Sequence, residues 1–151
     1  KTAVFRMSCI YGIRQFGFED QGWVAWFIVA TLLKKPITIY GDGKQVRDVL
    51  YVTNLIGAYD RFIRSNLKHE VFNVGGGPHN TISLLEFLDC VKEETVITPK
   101  VRFDKWRPSD QKVYISDTSR IKEKLNWSPR IPPREGIRKL IKWVKGHKDL
   151  F

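Results

Sequence analysis

Eleven consecutive residues, Trp23 to Leu33, carry no charge and read as a helix that is apolar nearly all round. A helix of that kind needs cover on more than one side, so the chain has to build layers around it. The run is too short to span a bilayer, which takes about 20 residues. Lys34 and Lys35 follow, where cations suit the end of a helix dipole, and Pro36 ends it. With 151 residues, 42% of them hydrophobic, the chain can bury a core of one domain's size, which excludes a wholly disordered protein. It opens Lys-Thr-Ala-Val-Phe, with no initiator Met and no basic-then-apolar leader. We expect a soluble cytoplasmic protein, or a piece of a larger one, with no membrane segment.

Strand and helix patterns alternate along the rest, so the expected class is α/β. Thr2 to Met7 suits a buried strand. Tyr11 to Gly22 is a glycine-bearing loop. Ile37 to Tyr40 and Val46 to Val52 read as strands joined by the Gly41-Asp42-Gly43 turn, whose glycines are free to take positive φ. Thr53 or Asn54 can cap the next helix, in which Leu55, Tyr59, Phe62 and Ile63 recur at helical spacing. Val71 to Val74 is a further strand, closed by Gly75-Gly76-Gly77-Pro78. Ser83 and Glu86 form a capping box ahead of the stripe Leu84, Phe87, Leu88, Val91. Strands at about 96–103 and 112–116 come next, then a short helix capped by Asp117 or Thr118. The last helix places Ile137, Leu140, Ile141 and Val144 on one face and Lys and Arg on the other. Because the first strand begins at residue 2 and is followed by an all-round apolar helix, we expect sheet neighbours and helix cover to come from outside: strands 2–7, 46–52 and 71–74 lack partners.

The net charge of +10 is unevenly placed, with +1 over residues 1–99 and +9 over 100–151. A basic third of this kind suits nucleic acid, a phosphorylated small molecule, an acidic protein surface, or simply a solvated face. The two cysteines, Cys9 and Cys90, make neither a disulfide framework nor a zinc motif, and the three histidines share no ligand spacing with them. Gly75-Gly76-Gly77 fails the Gly-x-Gly-x-x-Gly dinucleotide pattern at Asn80, and Gln45 stands where a P-loop needs Ser or Thr. Both glycine runs therefore read as plain turns. Arg47 sits inside an apolar strand, where a guanidinium needs a fixed anionic partner, and Asp48 beside it points to the opposite face. Arg107 and Asp110, in Arg-Pro-Ser-Asp, have the chemistry for phosphate and for sugar hydroxyls, and equally for structural salt bridges.

Five segments, in order, carry a family resemblance. Phe5 to Gln15 (FRMSCIYGIRQ) resembles the strand and loop that follow the catalytic Tyr-x-x-x-Lys helix of extended short-chain dehydrogenase/reductases. Pro36 to Asp48 (PITIYGDGKQVRD) resembles that family's hairpin leading to a phosphate-binding arginine. Phe72 to Gly77 is similar to its last Rossmann strand, Arg107 to Gln111 to its second nucleotide-binding loop, and Leu125 to Pro129 with Glu135 to Ile137 to its C-terminal end. The resemblance is to the NAD-dependent nucleotide-sugar epimerases and dehydratases. Ser8 to Gly12 together with Glu19 to Phe27 is most similar to the CDP-paratose 2-epimerase (CDP-tyvelose epimerase) subgroup.

What the resemblance implies is the C-terminal part of a Rossmann-type parallel sheet plus a small α/β substrate-binding domain. Residues 1–15 and about 46–75 are the sheet remnants, and about 16–45 and 76–151 the substrate part. It implies NAD as cofactor, bound mainly by an N-terminal half missing from this chain, and with it the glycine-rich loop and the acid/base residues, so no catalytic residue carries over. It implies that Arg47 and Arg107 clamp the diphosphate of a CDP-linked sugar, that Asp110 holds ribose hydroxyls, and that Gln21, Gly22 and Trp23 offer free N–H groups to phosphate at a helix start. Ser8, Cys9 and Ile10 match the stretch beside the nicotinamide, and Arg14 the sugar. The expected partner is the NAD-binding half or a second copy. Three departures stand out: Ile13 for a usual Pro, Thr53-Asn54 for an acidic cap, and Ser109 for a usual Gly, which strains that turn. Two other functions fit the residues: a non-catalytic nucleotide-binding module or split-enzyme subunit, and a basic nucleic-acid-binding domain using residues 100–151.

Overall fold

The computed structural model describes residues 1–151. Its elements run β1 (Thr2–Met7), β2 (Cys9–Tyr11), α1 (Trp23–Leu32), β3 (Pro36–Tyr40), β4 (Val46–Tyr51), α2 (Val52–Arg64), β5 (His69–Val74), β6 (Thr81–Ser83), α3 (Leu84–Thr95), β7 (Lys100–Asp104), β8 (Val113–Tyr114), α4 (Ser119–Leu125) and α5 (Pro133–Gly146). Eight of the ten residues of α1 are buried. Its cover comes from this chain, and that corrects the expectation of a partner for the helix. The stripes of α3 (Leu84, Phe87, Leu88, Val91) and α5 (Ile137, Leu140, Ile141, Val144) join Ile37 and Ile39 of β3 around α1 in one apolar cluster. Each stripe was legible by itself; that they meet on α1 is a long-range fact.

The strands form three small sheets. β1 and β5 pair in parallel, β4 is flanked by parallel β2 and by antiparallel β6 with parallel β8, and β3 pairs in parallel with β7. The hairpin expected between β3 and β4 therefore does not form. Its turn is as expected, with Gly41 and Gly43 at φ +97° and +76°. The loop, however, is closed by its own bonds, Lys44 N–H to Asp42 Oδ1 and Gln45 Nε2 to the Tyr40 carbonyl. It carries the chain from one sheet into another. β4 is likewise not short of neighbours, as it has strands on both edges.

β4 joins the two cores through its pleat. Val49 and Tyr51 face the α1 cluster, while Leu50 faces a second cluster with Leu55, Ala58 and Phe62 of α2, Phe72 and Val74 of β5, and Ile121, Leu125 and Trp127. Tyr11 at the end of β2 donates its hydroxyl to the Pro133 carbonyl at 3.0 Å, which ties the sheet to the start of α5. Gly136 has to lack a side chain there, because a Cβ would overlap the Tyr11 hydroxyl.

β1 is less buried than expected. Phe5 packs on Tyr59, Phe62 and Phe72, but the other face is open: Val4 and Val71, opposite one another in register, are 57% and 44% exposed. Ile63, assigned to the helix stripe of α2, is also exposed. The Ser83–Glu86 capping box is present in full, and the Ser83 hydroxyl and N–H hold the Glu86 carboxyl below its usual range. Neither Thr53 nor Asn54 caps α2, because the helix starts at Val52 with Tyr51 at the N-cap position. Asn54 is instead buried. Its Oδ1 accepts from the N–H groups of Arg130 and Ile131, and its Nδ2 donates to the Ile131 carbonyl. Its own carbonyl accepts from the Trp127 indole at 3.0 Å. This is what pins the proline-rich segment before α5.

Asn54→Ala removes three bonds and leaves backbone groups without partners, so we expect a loss of about 2–4 kcal/mol in urea unfolding. Thr53→Ala, one residue away, should cost less than about 0.5 kcal/mol.

Candidate functional site

The parallel pairing of β3 with β7, ending at Tyr40↔Asp104, sends the chain after both strands out on the same side. Gly41 and Trp106 consequently meet. A Cβ on Gly41 would lie 2.6 Å from the Trp106 ring. The next residue, Arg107, lays its guanidinium 4.0 Å from the centre of the Tyr40 ring. The opposite wall is the loop before α1, folded tightly onto the helix start by mutual backbone bonds between Phe18 and Gln21. Phe16 anchors that loop against Trp143 and Phe151. Gly22, at φ +73°, forms the N-cap without any side-chain cap, which leaves first-turn N–H groups free.

Between these loops lies a cleft of about 230 Å³, lined among others by Asp20, Gln21, Gly22, Trp23, Tyr40, Gln45, Arg47, Arg107 and Asp110. Typical ligand pockets hold about 300–1,000 Å³, so these walls enclose part of a site for anything of nucleotide size. Arg47 finds its anionic partner in Asp110 at 2.7 Å. Arg107 pairs with Asp20 at 2.9 Å. On the other face of β4, Asp48 is fully buried and accepts from the Gly77 N–H at 3.0 Å. The Ser8 hydroxyl donates to the Asp48 carbonyl at 3.3 Å.

The cleft thus brings together six of the ten residues singled out in the sequence: Gln21, Gly22, Trp23, Arg47, Arg107 and Asp110. Ser8, Cys9, Ile10 and Arg14 are not among its walls. Burial pushes the Cys9 thiol up from 9.0 to about 11, against a lowering by its contact with Trp23. Burial also raises the Tyr11 hydroxyl above its usual range. Sequence reasoning missed Tyr40, Gln45 and Asp20. The signal for Tyr40 was available, an aromatic directly before a glycine turn that faces an arginine loop, but the facing itself depends on the β3–β7 register.

The chain's residues do not by themselves fit a dinucleotide. Gly75 packs against protein oxygens, so that a Cβ there would overlap Asp48, Ser116 and Ser8, and Gly41 is covered by Trp106. Tyr40 and Lys44 have the Tyr-x-x-x-Lys spacing, but they flank a glycine turn and share no helix face. The basic face of α5 is partly neutralised within the chain: Arg134 pairs with Glu93 and Glu94, Arg138 with Glu94, and Lys139 with Glu135. No helix is long and apolar enough to cross a membrane.

Comparison with known proteins gives a consistent answer. Residues 11–140 match the family described as GDP-mannose 4,6 dehydratase. The chain is 38% identical over 150 residues to a CDP-paratose 2-epimerase of Salmonella typhi, covering 95% of this chain and 44% of that protein. It is 32% identical to a putative UDP-glucose 4-epimerase of Methanocaldococcus jannaschii, covering 96% and 46%. Among solved structures, a UDP-glucose 4-epimerase from Thermotoga maritima with UDP-glucose superposes with a TM-score of 0.87 at 30% identity, covering 99% of this chain and 47% of that one. MoeE5 in complex with UDP-glucuronic acid and NAD also gives 0.87, at 26% identity, covering 95% and 47%. The chain therefore spans a little under half the length of the relatives it matches.

Two measurements follow from the site's local chemistry. Above pH 9 an unfolded chain releases the Cys9 proton while the folded one keeps it up to about 11, so the unfolded state binds fewer protons and stability falls as pH rises. Denaturant unfolding should lose about 1–3 kcal/mol between pH 8 and 11, with Cys9→Ala flattening the slope. Ser109 takes φ +63°, as its place at a usual glycine suggested, and Ser109→Gly should raise stability by about 1 kcal/mol in the same assay.

Proposed function

The chain belongs to the GDP-mannose 4,6-dehydratase family of NAD-dependent nucleotide-sugar epimerases and dehydratases, and from that premise we propose that it supplies the C-terminal, substrate-binding portion of a nucleotide-sugar epimerase acting on a CDP-linked sugar. One observation carries the reading: two guanidiniums from separate elements, Arg47 and Arg107, line one cleft beside the uncapped start of α1. That arrangement suits a diphosphate, with charge-assisted bonds from the arginines and N–H groups of Gly22 and Trp23. Gln21 lies on the same turn. The Tyr40 ring, with Arg107 on it, is an aromatic wall of the same cleft. Asp110, already oriented by Arg47, is the group for ribose hydroxyls, and Arg14 the one for the sugar. The likeness to the Salmonella epimerase supports cytidine as the nucleoside.

NAD, when bound, supplies reversible hydride transfer. In this reading it is held mainly by a domain outside this chain, with Ser8, Cys9 and Ile10 facing the nicotinamide. Residues 1–15 and about 46–75 then belong to the Rossmann sheet, and the rest to the substrate domain. The open face of β1 and β5 around Val4 and Val71 is where that domain packs, since parallel strands are normally covered on both faces. The residues present here bind and orient; the proton transfers belong to the other domain.

Calorimetric titration with CDP, with UDP, GDP and ADP as controls, tests the substrate side. We expect saturable binding that prefers CDP and weakens about 10- to 100-fold in Arg47→Ala or Arg107→Ala. Binding that is absent, or indifferent to both arginines, would sink the assignment. Adding a separately produced N-terminal half should restore NAD-dependent turnover.

A further inference from the structure

We propose that Asp20 is an internal anion that competes with the ligand's diphosphate for Arg107, and so sets how tightly the site holds its substrate. The inference rests on the diphosphate reading of the cleft and extends it. The two arginines are each paired with a carboxylate, but the pairs are built differently. Arg47–Asp110 is a wall element, its side chains 17% and 27% exposed, with a second Arg47 nitrogen held by the Val46 carbonyl at 2.9 Å. Arg107–Asp20 lies at the mouth, its side chains 40% and 77% exposed.

Asp20 also sits where it can leave. It occupies the tip of the tight turn between Phe18 and Gln21, and its carboxylate has one hydrogen-bond partner, Arg107 Nη2. Arg107 does not need Asp20 to stay in place, because it is stacked 4.0 Å from the Tyr40 ring centre. The two roles of the pair therefore separate: Tyr40 orients the guanidinium, and Asp20 occupies it. A diphosphate that takes the bidentate Nη1/Nη2 edge of Arg107 displaces Asp20 from Nη2 and then lies beside the displaced carboxylate.

The charges of the cleft make that competition costly to the ligand. Arg47 and Arg107 face Glu19, Asp20 and Asp110, so the acidic side chains outnumber the basic ones before any phosphate enters. Removing one mouth carboxylate relieves both the competition at Arg107 and a like-charge contact with phosphate. An exposed pair of this kind is weak, so the exchange is reversible and the effect on affinity is a graded one.

The test is calorimetric titration of three proteins with CDP at one low salt concentration: the natural chain, Asp20→Asn, and Asp60→Asn. Asp60 pairs with Arg64 on α2, so the last variant makes the same change in net charge away from the cleft. Asp20→Asn should bind CDP about three- to tenfold more tightly, while Asp60→Asn matches the natural chain. Equal or weaker binding by Asp20→Asn, with CDP still bound by the natural chain, overturns the inference and leaves the diphosphate reading standing. A tightening shared by Asp60→Asn reduces the effect to net charge and overturns it as well. No saturable binding by any of the three removes the diphosphate reading and the inference together.

Discussion

The pleat of β4 is the constraint on which the rest of the molecule depends. Successive residues of a strand face opposite ways, and here both faces are used. Val49 and Tyr51 enter the α1 cluster and Leu50 enters the α2 cluster, so one strand is common to two cores. Continuing the alternation outward puts Arg47 in the cleft and Asp48 in the interior. A one-residue slip of register would exchange them, burying a guanidinium and exposing the carboxylate that holds Gly77. The apolar register that stabilises the fold is thus the same register that aims Arg47 into the cleft.

The cleft's other walls follow from parallel pairing. Parallel neighbours run in one direction, so the loops that leave β3 and β7 emerge together at the strands' carboxyl ends, which is where open α/β sheets place ligands. Residues far apart in sequence become neighbours for that reason alone: Gly41 lies under Trp106 and Tyr40 under Arg107. The third wall is fixed differently, by aromatic packing. Phe16 rests on Trp143 and Phe151 from the last helix and the chain's end, so the C-terminal segment supports a loop that begins the cleft. Sheet geometry sets two walls and a docked helix sets the third.

Local signals were legible in the sequence and long-range ones were not. The capping box at Ser83, the stripes of α3 and α5 and the positive-φ glycines of the 41–43 turn all depend on a few neighbouring residues, and each stands in the structure as the sequence reads; the positive φ of Ser109 was expected from the family resemblance alone. The hairpin failed because a glycine turn says only that the chain reverses there, and the edge of β3 found a better partner in β7. The cover for α1 was misread for the same reason, since an apolar stripe does not name what it packs on. Asn54 looked like a cap by residue type, but burial gave its side chain three backbone groups of another segment to satisfy. In the site, Arg47 announced itself through the cost of a charge in an apolar strand. Asp20 had no such cost to reveal it, and Tyr40, an aromatic before a glycine turn, gained its place only through the β3–β7 register that sets it under Arg107.

The two incomplete features of the chain have one physical explanation. A two-stranded parallel sheet is not stable by itself, and β1 with β5 persists because Phe5 and Phe72 pack onto α2 on one face. The opposite face keeps an apolar pair, Val4 and Val71, in water. The cleft likewise has two arginines on its walls but no open glycine cradle beside it, since the space at Gly75 is filled by Asp48, Ser116 and Ser8 and that at Gly76 by Val49 and Asn80. Burial has also made the nearest thiol, Cys9, a poor nucleophile. What this chain brings to one cleft is a pair of arginines, Arg47 and Arg107, held on separate segments. In the reading proposed above, the hydride carrier, the acid and the base come from a second domain, and the open Val4–Val71 face is an exposed apolar surface suited to receive it.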